Sequence, residues 1–189
     1  MRGARAVASL LALPIGASVS APAAADVGER QVLALIRALA YDRQLGERAG
    51  DDVLIGVVFG PGEADCAGEA LAVLRGLDGV TIQERPIRSM SVSFTDAGAL
   101  SDALSGGVDV LIVVGGLGEA TAEVVRVAHR AGAVTAGFEP EMLTIGVPLV
   151  VSDERGELEV YVNLPASRAA GQSFSSKLLQ VATVVRENP

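Results

Sequence analysis

The sequence predicts an α/β fold: a mixed, mostly parallel sheet flanked by helices, with an antiparallel C-terminal hairpin and a closing helix. Three observations carry that prediction. Residues 53–59 and 108–114 are nearly unbroken apolar runs, the pattern of strands buried on both faces. Segments with apolar residues at helical spacing alternate with such runs, which implies crossover helices and parallel strands. Residues 157–164 instead alternate Leu158, Val160 and Val162 with Glu157, Glu159 and Tyr161, the period of a strand with one wetter face.

Taken in order, residues 1–25 read as a secretory signal peptide. Arg2 and Arg5 give a positive start, residues 6–19 are mostly apolar, and Ala23-Ala24-Ala25 offers a cleavage site. The apolar stretch is shorter than the ~20 residues of a membrane span and contains Pro14 and Gly16. The expected product is residues 26–189, one soluble domain in the periplasm with no direct membrane insertion.

Residues 27–48 place Val32, Leu33, Leu35, Ile36, Leu39 and Leu45 at helical spacing, which predicts one amphipathic helix. A strand over 53–59 is broken by Gly60-Pro61-Gly62, a helix follows over 63–76, and a second strand over 80–87 ends a β-α-β unit. Thr95-Asp96 starts a short helix through Leu104, closed by Ser105-Gly106-Gly107. A strand over 108–114, a turn at Gly115-Gly116-Leu117-Gly118, a helix over 119–131 and a strand over 133–138 complete a second unit. Residues 147–151 and 157–164 then flank the polar loop 152–156 as a hairpin. The chain closes on a helix marked by Leu178, Leu179, Val181, Ala182 and Val185.

Composition narrows function. Fifteen Lys and Arg stand against 23 Asp and Glu, a net charge of −8, and no basic run occurs, which excludes binding to nucleic acid through its phosphates. Loss of residues 1–25 removes two arginines and no acid, so the mature charge is −10. Aromatics make up 3% of the chain, too few for stacking platforms. Lys177 is the only lysine and reads as codon bias rather than as a signal. Catalytic groups are scarce. His129 is the only histidine, on a helix beside Arg126 and Arg130, and reads as solvated. No G-x-S-x-G elbow occurs, Cys66 and His129 make no recognisable nucleophile pair, and Glu139-Pro140-Glu141 lacks a further ligand type. No enzyme activity, metal or cofactor is expected. Cys66 is either a buried small hydrophobe or an exposed thiol able to pair between chains.

Two features suggest binding. Gly60 and Gly62, and Gly115, Gly116 and Gly118, both follow the carboxyl ends of predicted parallel strands, where ligands collect in open α/β sheets. Glu119 occupies the positive end of the following helix and argues for a tight turn over a phosphate cradle. Tyr41-Asp42-Arg43 joins an aromatic to a cation, the pairing enriched at interface hot spots. The same residues also fit a tyrosine packed on the sheet beside two solvated charges.

The most distinctive stretch is 156–171, Gly-Glu-Leu-Glu-Val-Tyr-Val-Asn-Leu-Pro-Ala-Ser-Arg-Ala-Ala-Gly, followed by Ser175-Ser176-Lys177-Leu178-Leu179-Gln180-Val181-Ala182. It resembles the closing segment of the YfiR-like (YfiR/HmsC) family of periplasmic regulatory proteins: a strand reaching an Asn, a short Ala/Arg/Gly segment, then a Ser-Ser-x-Leu-Leu helix. Ala38-Leu39-Ala40-Tyr41-Asp42-Arg43 and Ile55-Gly56-Val57 are similar to that family's opening helix and first strand. The resemblance implies a regulator that binds the periplasmic sensory part of a membrane signalling protein, in the best understood relatives a diguanylate cyclase held inactive, which lowers cyclic di-GMP and biofilm formation. It also implies a homodimer, with Tyr41, Asp42, Arg43, Asn163 and Arg168 as partner-binding residues. Those relatives carry paired cysteines, whereas this chain has Cys66 alone, so an internal disulfide is impossible here. Physical chemistry gives some of these residues ordinary roles too. Asn163 fits a cap on the helix after Pro165, Ser175 or Ser176 a cap near Lys177, and Arg168 a partner for an acid on the hairpin. The alternative reading is a single-lobed periplasmic small-molecule binder.

Overall fold

A computed structural model describes residues 28–77, 79–154 and 156–187. The signal peptide expected over 1–25 lies outside the described residues. The elements are α1 (Glu29–Leu39), α2 (Leu45–Arg48), β1 (Val53–Phe59), α3 (Ala64–Arg75), β2 (Thr81–Ile82), β3 (Arg85–Ser93), α4 (Ala97–Leu104), β4 (Val110–Val113), α5 (Thr121–Arg130), β5 (Val134–Gly137), β6 (Leu149–Glu154), β7 (Glu157–Asn163), α6 (Leu164–Ala169), α7 (Ser176–Val181) and β8 (Thr183–Val185). Eight strands form one sheet in the order β2-β3-β1-β4-β5-β6-β7-β8. β3, β1, β4, β5 and β6 are mutually parallel, β6 and β7 form the antiparallel hairpin, and β8 lies parallel to β7. The mixed, mostly parallel sheet flanked by helices is the fold class that the apolar runs imply.

The order β3-β1-β4-β5-β6 is the doubly wound, flavodoxin-like arrangement, with its direction switching between β1 and β4. Alternation along the strands builds two cores. Val53, Ile55, Val57, Val110 and Ile112 face α1 and α3, whereas Val58, Leu111 and Val113 face α4 and α5. Gly56 leaves the space that Leu111 fills: a Cβ there would lie 3.0 Å from Leu111 Cδ1. Fully buried aliphatics such as Leu35, Ile55 and Ile112 each contribute about 1.5–3 kcal/mol of transfer free energy.

Local chemistry sets the element ends. Asp96 caps α4, its Oδ1 accepting from the N–H groups of Gly98 (2.8 Å) and Ala99 (3.0 Å), which holds its carboxyl below the usual range. Gln31 Oε1 accepts from Gly28 N–H at the start of α1, and Gln31 Nε2 donates to the Val151 carbonyl, tying α1 to β6.

Several elements differ from the sequence expectation. The helix predicted over 27–48 is broken at residues 40–44. The strand predicted over 80–87 is a tight β2-β3 hairpin, turned at Gln83 and Glu84 with φ of 51° and 67°, and β3 then runs on to Ser93. Residues 152–154, read as loop, extend β6 and pair with residues 157–159. The closing helix ends at Val181, because Thr183–Val185 pair with Tyr161–Asn163 as β8. Three successive β-branched residues favour that extended pairing.

Candidate functional site

Asp42 explains the break after α1. Its carboxylate is fully buried and takes three donors: Oδ1 accepts from the N–H groups of Gln44 (3.1 Å) and Ser173 (2.9 Å), and Oδ2 from Arg48 Nη2 (2.9 Å). An aspartate so served by local and distant N–H groups stops the helix, as its short acceptor competes with helical bonding. Arg48 Nη1 also donates to the Gly171 carbonyl at 2.8 Å. Main-chain bonds close the same joint: Arg43 N–H to the Ser173 carbonyl (2.9 Å) and Ser175 N–H to the Tyr41 carbonyl (3.0 Å), with a bridge between Asp42 and Phe174. Gln83, at its strained turn, donates to the carbonyls of Ala40 and Asp42 from the other side.

This joint brings together the two remote segments that carry the family resemblance. Around it lies a groove of about 320 Å³ lined by Ala40, Tyr41, Arg43, Gln83, Ser175, Ser176 and Lys177. Tyr41 is 41% exposed, and Arg43 and Lys177 are exposed with no ion pair among the described residues. The buried Ser175 Oγ has no hydrogen-bond partner there. Ser175 occupies the N-cap position of α7 with extended backbone, but its hydroxyl makes no cap bond. The structure thus exposes the aromatic and the arginine of Tyr-Asp-Arg and buries the aspartate between them, a split that neither sequence reading foresaw. Lys177, Gln83 and Ser176 are additions; the sole lysine in an acidic chain was the available signal for the first.

The other expected residues lie elsewhere. Asn163 is fully buried and caps α6: Oδ1 accepts from Ala166 N–H and Nδ2 donates to the Leu143 carbonyl, both at 3.0 Å. It works inside the fold. Arg168, in the last turn of α6, is exposed without an ion pair among the described residues; the hairpin acid Asp153 pairs instead with Arg30 at 3.4 Å. The glycine loops meet across the switch point between β1 and β4. Gly60 N–H donates to the Gly115 carbonyl at 3.2 Å, and a Cβ on Gly60 would lie 2.1 Å from the Gly116 carbonyl oxygen. Glu63 packs against Gly116, so backbone and one side chain occupy that corner. Gly62, Gly116 and Gly118 have positive φ and serve as turn residues.

His129 contacts the Ala169 carbonyl through Nε2 and so ties α5 to α6. Cys66 is half-buried on α3 and packs against the core shared by α1 and α3. Two carboxyls are held above their usual range, Asp109 and Glu139, in each case chiefly by burial, and neither lines the groove. No helix among the described residues is long and apolar enough to cross a membrane.

The fold is a doubly wound α/β domain that carries an aromatic and cationic surface groove. The chain belongs to the YfiR/HmsC-like family, whose sequence profile matches residues 50–183, and that family consists of periplasmic regulators. No curated protein matches the chain by sequence. Among solved structures it is similar to a conserved domain protein from Vibrio cholerae, with 14% identity and a TM-score of 0.59, covering 84% of this chain and 60% of that one. It is also similar to an ABC domain from Streptococcus pneumonia in complex with L-Trp, with 13% identity and a TM-score of 0.60, covering 83% of this chain and 61% of that one. At such identities these likenesses speak to the fold alone. The chain spans about 60% of the length of these solved structures.

Proposed function

We propose that residues 26–189 form an exported regulator that docks on the periplasmic sensory domain of a membrane signalling protein, a diguanylate cyclase or related enzyme, and so controls cyclic di-GMP output. The observation that carries this reading is the convergence of Tyr41-Asp42-Arg43 with Ser175-Ser176-Lys177 on one groove. Two cations without an ion pair among the described residues, and an exposed tyrosine, on a mature chain of net charge −10 select a partner face that is acidic and partly apolar. The buried Asp42 holds the backbone of both segments in register, so the exposed side chains meet a partner already ordered. Asn163 contributes indirectly, by capping the α6 helix that leads into residues 171–175. A homodimer is part of the proposal.

The test is in vivo cross-linking followed by purification of the protein from membranes, with cyclic di-GMP measured in a deletion strain. A membrane signalling protein is expected in the cross-linked fraction, and the R43E/K177E variant, still folded by circular dichroism, is expected to lose it. Recovery of no membrane protein together with unchanged cyclic di-GMP on deletion sinks the reading. Light scattering on the purified protein checks the dimer.

A further inference from the structure

The segment 171–175 also borders a second hollow, of about 330 Å³, whose wall combines three features that the fold does not use. Arg168 on α6 and Arg186 just after β8 both line it, both are exposed, and neither has an ion pair among the described residues. None of the residues lining it is acidic, in a chain where acids outnumber bases 23 to 15. Gln172 lines it as well. This side chain is 5% exposed, yet neither Nε2 nor Oε1 has a hydrogen-bond partner among the described residues, whereas buried amides are normally paired. Leu164, Phe174 and Leu179 give the wall an apolar part, and Ser167 and Ser173 complete it.

These groups have complementary needs. Guanidinium forks match the planar geometry of a carboxylate, and an unpaired amide offers one donor side and one acceptor. The apolar wall favours a monoanion with a hydrocarbon body over a doubly charged phosphate, which gives up more hydration on entry. The volume lies at the low end of small-molecule pockets, ~300–1,000 Å³. We propose that this hollow binds a small organic carboxylate, its charge held by Arg168 and Arg186, its apolar body against Phe174, Leu164 and Leu179, and Gln172 serving its remaining polar group. The site is separate from the docking groove, and binding here stands or falls independently of any partner protein.

The experiment is NMR titration of ¹⁵N-labelled protein purified from the periplasm, with phenylacetate and hexanoate as probes, phenylacetamide as the uncharged control and phenyl phosphate as the phosphate arm. Phenylacetate is expected to shift the Gln172 side-chain amide resonances saturably, and R168Q/R186Q to weaken that binding at least about tenfold. Phenylacetamide is expected not to bind. Q172L, which removes the unpaired amide, is expected to keep or raise the melting temperature of the free protein while weakening phenylacetate binding. The proposal is overturned by absence of saturable binding to either carboxylate, by equal binding of phenylacetamide, by an affinity unmoved in R168Q/R186Q, or by tighter binding of phenyl phosphate.

Discussion

Asp42→Ala is expected to destabilise the protein by about 4 kcal/mol and to free the Tyr-Asp-Arg loop from the C-terminal segment. The carboxylate is 0% exposed and serves Arg48 and the N–H groups of Gln44 and Ser173. Breaking a buried ion pair costs roughly 3–5 kcal/mol. The Arg48 side chain keeps 23% exposure and its bond to the Gly171 carbonyl, which brings this contribution to about 2 kcal/mol. Two main-chain N–H groups left without acceptors add about 1 kcal/mol each. For a domain of this size the sum corresponds to a fall in Tm of roughly 8–16 °C. Urea unfolding followed by circular dichroism measures the loss, and amide hydrogen exchange at Ser173 and Gln44 localises it. In a double-mutant cycle with Arg48→Met, the two changes are expected to couple by about 1–2 kcal/mol. A loss under about 1 kcal/mol, zero coupling, or unchanged protection at Ser173 would refute the reasoning.

Three further outcomes follow from other joints. Gly60→Ala drives a Cβ to 2.1 Å from the Gly116 carbonyl oxygen, backbone against backbone, and is expected to cost about 2–3 kcal/mol in thermal unfolding; an unchanged Tm would show that the two loops separate freely. Asn163→Ala removes the α6 cap and strands the Leu143 carbonyl, for an expected loss of about 2–3 kcal/mol in urea, and a loss near zero would contradict the assigned role. Burial holds the Asp109 carboxyl above its ordinary 3.8, against the opposing bond from Leu54 N–H. A raised acid resists ionisation in the folded state, so the stability it favours is present at low pH and is lost as pH rises through the folded pKa. Asp109→Asn, which keeps an oxygen for Leu54, is therefore expected to be more stable than wild type at neutral pH and equal to it below 3.8. A difference in Tm that stays flat with pH would count against this.

What the sequence makes legible here follows burial. Residues 53–59 and 110–113 are strands buried on both faces, and hydrophobicity alone marks them. β3 is half exposed, bordered outside only by the two residues of β2, and its Ser89, Ser91 and Ser93 blur the pattern, so the turn at Gln83-Glu84 split what reads as a single strand. At the C-terminal end Leu178, Leu179, Val181, Ala182 and Val185 suit a continuous helix, but pairing with β7 outweighs that periodicity for the three residues of β8. The site was half legible. Tyr41, Asp42 and Arg43 stand out as a polar interruption, and the Ser-Ser-x-Leu-Leu stretch stands out by resemblance. That they meet depends on hydrogen bonds across 131 positions, which no local pattern encodes.

That separation makes the groove a reporter of chain completion. In a chain that stops short of Ser173, Asp42 lacks its distant N–H donor, Tyr41 and Arg43 have no Lys177 beside them, and β7 lacks its outer strand. Loop closure over such a distance comes late, because the entropy of bringing remote segments together must be overcome first. Truncated or half-folded copies therefore present only part of the surface proposed to meet the partner, and the regulator becomes competent to bind only once its two ends have been joined.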